Sequence, residues 1–266
     1  SDRRQYEDRR RRITSLGTLI AYSFITKSTE ETYDMHRLVH LVTRRWLVKK
    51  QRFDDFASRA TSVILAACPR PGWKNLDVFA KVLPHARAVA SHRVKAERTV
   101  MERAVILHRT GWYLGRTSQF VDAEQCAVES QRIREEYLGP SHRQALWAVY
   151  LRLWIYGEQG NFPAATELAK GALERGRDSD ADADVILAIT RILAWIHRRQ
   201  GELPEAEEIL LSCLETAKAK LGDHHDQPLY CLRDLANVYI KQGRRDEAQG
   251  QLEVVIATRG RLQGNE

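Results

Sequence analysis

The sequence predicts an all-α fold in which about four helical hairpins stack into a solenoid. A short motif that begins with Gly or Ser recurs at intervals of 42, 41 and 42 residues, and an alanine stands five places after each start. The starts are Ser118, Gly160, Gly201 and Gly243. A second marker, LGPSH from Leu138 and LGDHH from Leu221, recurs after two of these periods. Regular periods of roughly 20 to 50 residues indicate stacked supersecondary units, so the sequence predicts a repeat array.

Each unit is predicted to contain two helices, one on either side of the motif start. Upstream lie apolar, aromatic-rich stretches such as ILAITRILAWIH, whose spacing fits one face of a helix. Gly is favoured at the end of such a helix because it adopts the left-handed conformation without steric cost. Downstream, pairs such as Ala123 with Ala127 place small side chains one helical turn apart. Small side chains let two antiparallel helices approach closely, so each unit is predicted to be a hairpin.

The first helices of these units resemble those of tetratricopeptide repeats. The Leu, Ala and Tyr positions of that family are occupied in the last unit by Leu235, Ala236 and Tyr239. The unit before it has Leu193, Ala194 and His197 at the same positions. Arg152 stands at the Leu position of the second unit, which predicts that its first helix is shifted by one residue. The long period and the LGxxH linker are similar to the repeats of kinesin light chain, over about residues 97–262.

Ahead of the repeats, the pattern predicts a small region of mixed secondary structure. ITSLGTLIAY predicts a short helix, and the alternating segments SFIT and ETYDM flank the turn KSTE as a β-hairpin. HRLVHLVTRRWLVKK predicts an amphipathic helix with Val39, Val42 and Trp46 on one stripe. Helix, hairpin and helix in this order predict the tail of a winged-helix domain. We therefore expect a winged-helix remnant (1–50), a helical connector (51–96) and tetratricopeptide repeats (97–266).

This N-terminal region resembles the end of the nucleotide-binding core of NB-ARC, or NOD-like, signalling ATPases, especially fungal members with C-terminal tetratricopeptide repeats. Met35 and His36 match the Met-His-Asp motif of that family, and Arg37 stands at the Asp position. VLPHARAV, from Val82, is similar to a recurrent segment ahead of the repeats. The resemblance implies that His36 is the nucleotide-sensing residue, which faces the β-phosphate of ADP. It also implies an intramolecular contact between the repeats and an ATPase core.

The motifs of nucleotide-dependent and hydrolytic enzymes are missing from the sequence. No G-x-x-x-x-G-K-[ST] loop, which an ATPase needs to hold phosphates, occurs in it. Neither G-x-S-x-G nor G-x-G-x-x-G occurs. We therefore expect the chain to be non-catalytic, to hold no cofactor, and neither to bind nor to hydrolyse ATP.

Two histidine pairs have spacings that metal sites use. His36 and His40 lie one helical turn apart, but Arg37 stands where a zinc protease has its general-base Glu. His224 and His225 lie between two aspartates of a repeat linker, where helix capping and turn formation are the expected roles. The acidic run RDSDADAD lacks the central Gly and distal Glu of a calcium loop. We therefore predict no metal site.

The composition is that of a folded protein with a basic balance. The net charge is +7, and six arginines stand among the first twelve residues. Such a balance fits a nucleic acid, an acidic partner or a solvated helical surface. The four cysteines are scattered without a C-x-x-C pair, which favours reduced thiols and a cytoplasmic location. No run of about eighteen uncharged apolar residues occurs, so no membrane span is expected.

The first helices carry aromatic and basic side chains at positions predicted to face a concave groove. Counting back six residues from each motif start gives Trp112, Trp154, Trp195 and Asn237. Counting back ten gives His108, Tyr150, Arg191 and Arg233. Neighbouring candidates are Trp147, Arg198, Arg199, Tyr230 and Lys241. Because Trp and Arg dominate the binding energy of many interfaces, we predict a protein or peptide ligand here, extended, acidic and partly apolar. The alternative is that the tryptophans fill space between adjacent hairpins.

The sequence thus predicts a protein-interaction module, the sensor or regulatory repeat region of a NOD-like signalling ATPase. One alternative is a nucleic-acid-binding winged-helix regulator, which the acidic residues Glu30 and Glu31 of the wing disfavour. Another is a scaffold that self-associates through its groove. A salt-dependent DNA titration and a mass measurement at several concentrations separate the three.

Overall fold

The computed structural model describes residues 2–29, 32–177 and 182–263. The elements are α1 Asp2–Ala21, β1 Ile25–Lys27, β2 Tyr33–Met35, α2 Arg37–Lys49, α3 Phe53–Ala67, a 3-10 turn Trp73–Asn75, α4 Leu76–Ala90, α5 Glu97–Arg116, α6 Phe120–Leu138, α7 Arg143–Gln159, α8 Phe162–Arg177, α9 Ala183–Gln200, α10 Leu203–Leu221, α11 Asp226–Gln242 and α12 Arg245–Gln263. Glu30, Glu31 and the linker residues 178–181 lie outside the described residues. Among the described helices, none combines the length and apolar character that crossing a bilayer requires.

Residues 1–59 and 60–266 form two compact units. The first contains the predicted helix, hairpin and helix, although α1 begins at Asp2, well before the predicted segment. Strands β1 and β2 are antiparallel, with Ile25 opposite Met35. The division into 1–50, 51–96 and 97–266 stays a prediction.

Helix α2 begins with a side-chain cap and presents an apolar surface. The Nδ1 atom of His36 accepts a hydrogen bond from the backbone N–H of Leu38 at 3.2 Å, as the N-cap of the helix. The side chains of Val42 and Trp46, on the predicted stripe, are 65% and 52% exposed. No residue of α2, all of which the structure describes, is buried. The amphipathic pattern therefore predicted the helix correctly, and its apolar residues lie at the surface of this chain.

The repeats of the second unit are helical hairpins, which confirms the predicted solenoid. Four hairpins are described, namely α5 with α6, α7 with α8, α9 with α10 and α11 with α12. Each first helix packs against the first helix of the next hairpin, so α5, α7, α9 and α11 lie side by side. Helix α4 extends this packing onto α5, where Phe79 stacks on Tyr113 with ring centroids 4.8 Å apart.

The recurring alanines mark the points where the two helices of a hairpin cross. Ala123, Ala165, Ala206 and Ala248 are each at most 2% exposed. In the first hairpin a Cβ atom added to Gly111 would lie 3.1 Å from the carbonyl oxygen of Ala123, so the two backbones nearly touch. A larger side chain at these positions would force the helices apart.

In the repeat motifs, glycines end the first helices of the hairpins, and histidines cap the starts of α7 and α11. Gly160, Gly201 and Gly243 have left-handed φ values of 74°, 88° and 83° at the ends of α7, α9 and α11. The Nδ1 atom of His142, and likewise that of His225, accepts a hydrogen bond at 3.2 Å from the N–H two residues further on. The capping role predicted for the second histidine pair is therefore confirmed for His225.

The first helix of the second hairpin, α7, ends at the left-handed Gly160 as α9 ends at Gly201 and α11 at Gly243, so the shift predicted from Arg152 is wrong. Arg152 occupies the Leu position because its guanidinium donates hydrogen bonds to Oε1 of Gln131 at 2.8 Å and to the hydroxyl of Tyr156 at 2.9 Å. The Tyr156 hydroxyl in turn donates to Glu124 at 2.8 Å. These bonds satisfy the two Nη atoms of a charged side chain, although its buried Nε atom has no hydrogen-bond partner, at a position that other repeats fill with an apolar residue.

Ser118 stands where the later motifs have Gly, and its φ of 60° is left-handed. This conformation costs a residue with a Cβ roughly 1 kcal/mol. We expect Ser118→Gly to raise the free energy of unfolding by about 0.5–1 kcal/mol in urea denaturation. The reverse change at the matched position, Gly201→Ser, should lower it by a similar amount. If both changes lowered the free energy of unfolding, the assignment of Ser118 as a strained helix cap would be contradicted.

Candidate partner-binding groove

Two adjoining pockets lie along the first helices of the hairpins. The tryptophan pocket, about 320 Å³, is lined by Pro71, His108, Trp112, Arg116, Trp147, Tyr150, Leu151 and Trp154. The arginine pocket, about 290 Å³, is lined by Arg116, Tyr150, Trp154, Glu158, Ala188, Arg191, Ile192, Trp195, Arg233 and Asp234. Three residues line both pockets, so together they form one groove across α5, α7, α9 and α11, which we call the groove.

The groove brings together seven of the ten residues predicted to contact a partner, which are Trp112, Trp154, Trp195, His108, Tyr150, Arg191 and Arg233. The other three, Asn237, Arg198 and Lys241, do not line either pocket. Asn237 and Lys241 are exposed on α11, and Arg198 is half-buried on α9. The partner-binding role of all ten residues remains a prediction.

The tryptophans lie at the junctions between hairpins. The indole of Trp154 covers Gly115 of the preceding hairpin, where an added Cβ atom would lie 2.5 Å from ring atom Cζ3. The indole of Trp195 covers Gly157 in the same way, with ring atom Cη2 2.7 Å from the added Cβ position. Both indoles are half-buried and pack against the hydrophobic core. Each indole therefore fills space between two adjacent hairpins, which was the alternative role considered for the tryptophans, and its exposed part also lines the groove.

Arg191 is held in a buried ion pair. Its Nε and Nη2 atoms donate to Oδ2 of Asp234 at 2.9 and 2.6 Å, and Nη1 donates to Gln227 at 3.3 Å. The Arg191 side chain is only 12% exposed. Burial opposes its charged form, but the charge and hydrogen bonds of Asp234 outweigh burial and raise the pKa of Arg191. Arg191 is thus a fixed part of the groove wall, and a charge reversal there would destabilise the fold as well as alter binding.

Arg233 is the most accessible of the three arginines that line the arginine pocket. Its side chain is 50% exposed, and its Nε and Nη2 atoms donate to Oδ1 of Asp234 at 3.1 and 2.9 Å. Arg116 lies over Trp154, with its Cζ atom 5.5 Å from the ring centroid. Three arginines and two carboxylates, those of Glu158 and Asp234, line this pocket, so its wall carries one excess positive charge.

His108 and Tyr150 contribute neutral side chains to the groove. Burial, with the charges of Arg134 and Arg109 adding to it, lowers the pKa of His108 to about 3. Burial also raises the pKa of the Tyr150 hydroxyl, against the opposing charge of Arg191. Both side chains are therefore uncharged at neutral pH. Of the four residues that stand ten places before the motif starts, only Arg233 therefore offers an accessible charge.

Arg116, Glu158 and Asp234 line the groove but were missed in the sequence analysis. Arg116 and Glu158 stand two places before a motif start, and Asp234 stands nine places before one. The nine-place positions of two earlier units, Leu151 and Ile192, also line the pockets. Offsets of two, six and ten fall on successive turns of one helix face, so counting at two would have found Arg116 and Glu158.

The groove and its hairpins define a tetratricopeptide-repeat solenoid. Residues 185–259 match the family model described as Tetratricopeptide repeat. The chain is similar to the crystal structure of a putative kinesin light chain from Podosopora anserina with nearly identical TPR-like repeats (TM-score 0.59, 20% identity, 78% of this chain and 97% of that chain). It is also similar to a Rap protein complexed with Competence and Sporulation Factor (TM-score 0.58, 17% identity, 70% of this chain and 49% of that chain). These likenesses concern the fold.

Among curated proteins, the chain is similar to a nucleotide-binding leucine-rich repeat (NLR)-like protein from Hyaloscypha variabilis. The two are 29% identical over 131 residues, which are 49% of this chain and 13% of that protein. The chain thus aligns with only a small part of the relative. The relative is a fungal NLR-like protein, and one structural neighbour is a putative kinesin light chain with TPR-like repeats, so both resemblances stated from the sequence are confirmed.

Proposed function

We propose that this chain is a non-catalytic protein-interaction module whose groove binds an extended segment of a partner protein. The observation that carries the proposal is the meeting of Trp154, Trp195, Arg116 and Arg233 in one groove along the first helices. Solenoid repeats use such extended surfaces for binding. The structural neighbour complexed with Competence and Sporulation Factor supports a ligand-binding role for this fold.

The side chains of the groove favour a partner segment that is acidic and partly apolar. The indoles offer apolar area to aliphatic and aromatic side chains. Arg233 and Arg116 offer guanidinium groups, which pair with carboxylates more specifically than lysine does. Trp and Arg are also the residues at which interface energy concentrates.

We further propose that the chain is the sensor or regulatory repeat region of a NOD-like signalling ATPase in the cytoplasm. The NLR-like relative and the Met35-His36 motif support this setting. The four cysteines are free thiols, as in a reducing compartment. In this setting the groove holds either a ligand or a segment of the ATPase core.

Arg233→Glu tests the groove. The probe is a fluorescein-labelled peptide of about twelve residues in which Glu alternates with Leu and Phe. Fluorescence anisotropy should show binding to the unaltered chain and a loss of at least about tenfold in affinity for the variant, because the change removes an accessible cation and adds a like charge. A thermal melt by circular dichroism establishes that the variant is folded.

Arg245→Glu is the matched control, because it makes the same change of charge at an exposed residue of α12 that lines neither pocket. It should bind the peptide within about twofold of the unaltered chain. An equal loss in both variants would show that net charge, and not the groove, sets the affinity. A peptide with Lys in place of Glu that binds as well would also exclude an acidic partner.

A further inference from the structure

Three arginines surround the ring of Tyr230, next to the arginine pocket. The Cζ atoms of Arg191, Arg233 and Arg259 lie 4.8, 5.2 and 5.7 Å from the ring centroid. The arginines come from three helices, α9, α11 and α12. We call these four residues the Tyr230 cluster. Cation–π attraction to one ring holds the three guanidiniums close together despite their like charge.

The protein supplies little negative charge to the Tyr230 cluster. Asp234 pairs with both Arg191 and Arg233, one on each carboxylate oxygen. Asp184 accepts a hydrogen bond from Gln227, which also contacts Arg191, but the Asp184 carboxylate is already paired with Arg143 at 3.0 Å. The three positive charges of the arginines exceed the one negative charge of Asp234 by two.

The cluster combines a fixed guanidinium with accessible ones. Arg191 is immobilised by Asp234 and Gln227, whereas half of the Arg233 side chain is exposed and Arg259 is exposed. An anion reaching Tyr230 from solvent therefore meets the exposed guanidiniums of Arg233, which Asp234 holds in place, and Arg259, next to the fixed charge of Arg191. Such preorganisation lowers the cost of binding.

We propose that the Tyr230 cluster binds the phosphate group of a phosphorylated residue in the partner segment. A phosphate monoester carries close to two negative charges at neutral pH and three strong acceptor oxygens, which matches the two excess charges. A carboxylate carries a single charge and would leave the other uncompensated. Arginine pairs with phosphate in a bidentate manner.

The phosphate belongs to a peptide segment because the cluster is continuous with the groove. Arg191 and Arg233 belong to the Tyr230 cluster and also line the arginine pocket. A segment lying in the groove would thus bring a phosphorylated side chain to Tyr230. This inference rests on the proposed peptide-binding function, and its test separates the two.

The experiment compares three fluorescein-labelled peptides that share one Leu-, Phe- and Glu-containing sequence and carry Ser, Glu or phosphoserine at the centre. By fluorescence anisotropy, the phosphoserine peptide should bind the unaltered chain at least about tenfold more tightly than the Glu peptide. Arg259→Glu should reduce that ratio to about one and leave the affinity for the Ser peptide within about twofold. Arg261→Glu is the matched control on α12, since the Arg261 guanidinium hydrogen-bonds to its own helix at Ala257, and it should keep the tenfold ratio.

The outcomes distinguish the phosphate site from the groove. If the Ser and Glu peptides bind but phosphoserine gives no gain, the phosphate site is refuted and the groove stands. If Arg261→Glu lowers the ratio as much as Arg259→Glu, general charge attraction explains the gain and the site is refuted. If inorganic phosphate at equal ionic strength binds as tightly as the phosphoserine peptide, the site takes free phosphate and the peptide assignment is overturned. If none of the three peptides binds, the proposed function itself fails.

Discussion

Gly157→Ala is expected to lower the free energy of unfolding by about 1–3 kcal/mol, although alanine is the better helix former. The added Cβ atom would lie 2.7 Å from Cη2 of Trp195, closer than real Cβ atoms approach a ring. The indole packs against the core beside this contact, so it cannot move away without opening the hairpin junction. Chemical denaturation followed by circular dichroism measures the effect.

The sign of this effect should reverse when the indole is removed. In a Trp195→Ala background, Gly157→Ala should stabilise the chain by about 0.5–1 kcal/mol, because only helix propensity remains. Gly250→Ala is the control in the unaltered background, since a Cβ atom at Gly250 has no heavy atom within 4 Å, and it should also stabilise. If Gly157→Ala destabilises equally with and without Trp195, the indole is not what occupies the space above the glycine.

Ala206→Trp is expected to destabilise the array by about 3 kcal/mol or more, because an indole at a helix crossing forces α9 and α10 apart. Ala206 has no exposed surface and belongs to the core formed with Ala194 and Leu210. The measurement is the midpoint and slope of urea denaturation, which together give the free energy of unfolding.

Ala219→Trp is the control on the same helix. Ala219 is exposed, so a tryptophan there should change the free energy of unfolding by no more than about 0.5 kcal/mol. An effect of Ala206→Trp as small as that of the control would mean that the recurring alanines do not mark the helix crossings.

The hairpin architecture was predictable because its determinants are local in sequence. In the second, third and fourth hairpins a left-handed glycine ends the first helix, and an alanine five residues later lies where the two helices cross. The spacing of Gly160 and Ala165 in the sequence is therefore enough to predict the hairpin. The groove positions follow from helical periodicity once the helix ends are known. For this reason seven of the ten predicted contact residues lie in the two pockets.

The contacts between hairpins were not predictable in the same way. Arg191 and Asp234 are 43 residues apart in the chain, and nothing local to either indicates that they form an ion pair. The contact of Trp195 with Gly157 likewise depends on how two hairpins are rotated against each other. Arg152 misled the helix assignment because its partner Gln131 lies on another helix. Tertiary partners override the local pattern at these positions.

The three junctions of the array differ in what joins them. Between the first and second hairpins the indole of Trp154 packs on Gly115, and between the second and third the indole of Trp195 packs on Gly157. At the next junction the corresponding positions are Arg198 and Asn237, and the ion pair of Arg191 with Asp234 bridges the helices. Ion pairs such as Arg143 with Asp184 also span the second junction, but only the last junction has an ion pair in place of the indole contact. In a nearest-neighbour description, the coupling energy of the last junction therefore depends more on this one largely buried pair. Because salt screens a buried pair only weakly, loss of either partner, and not added salt, should uncouple the C-terminal hairpin, so that under mechanical load or partial denaturation the array separates from that end.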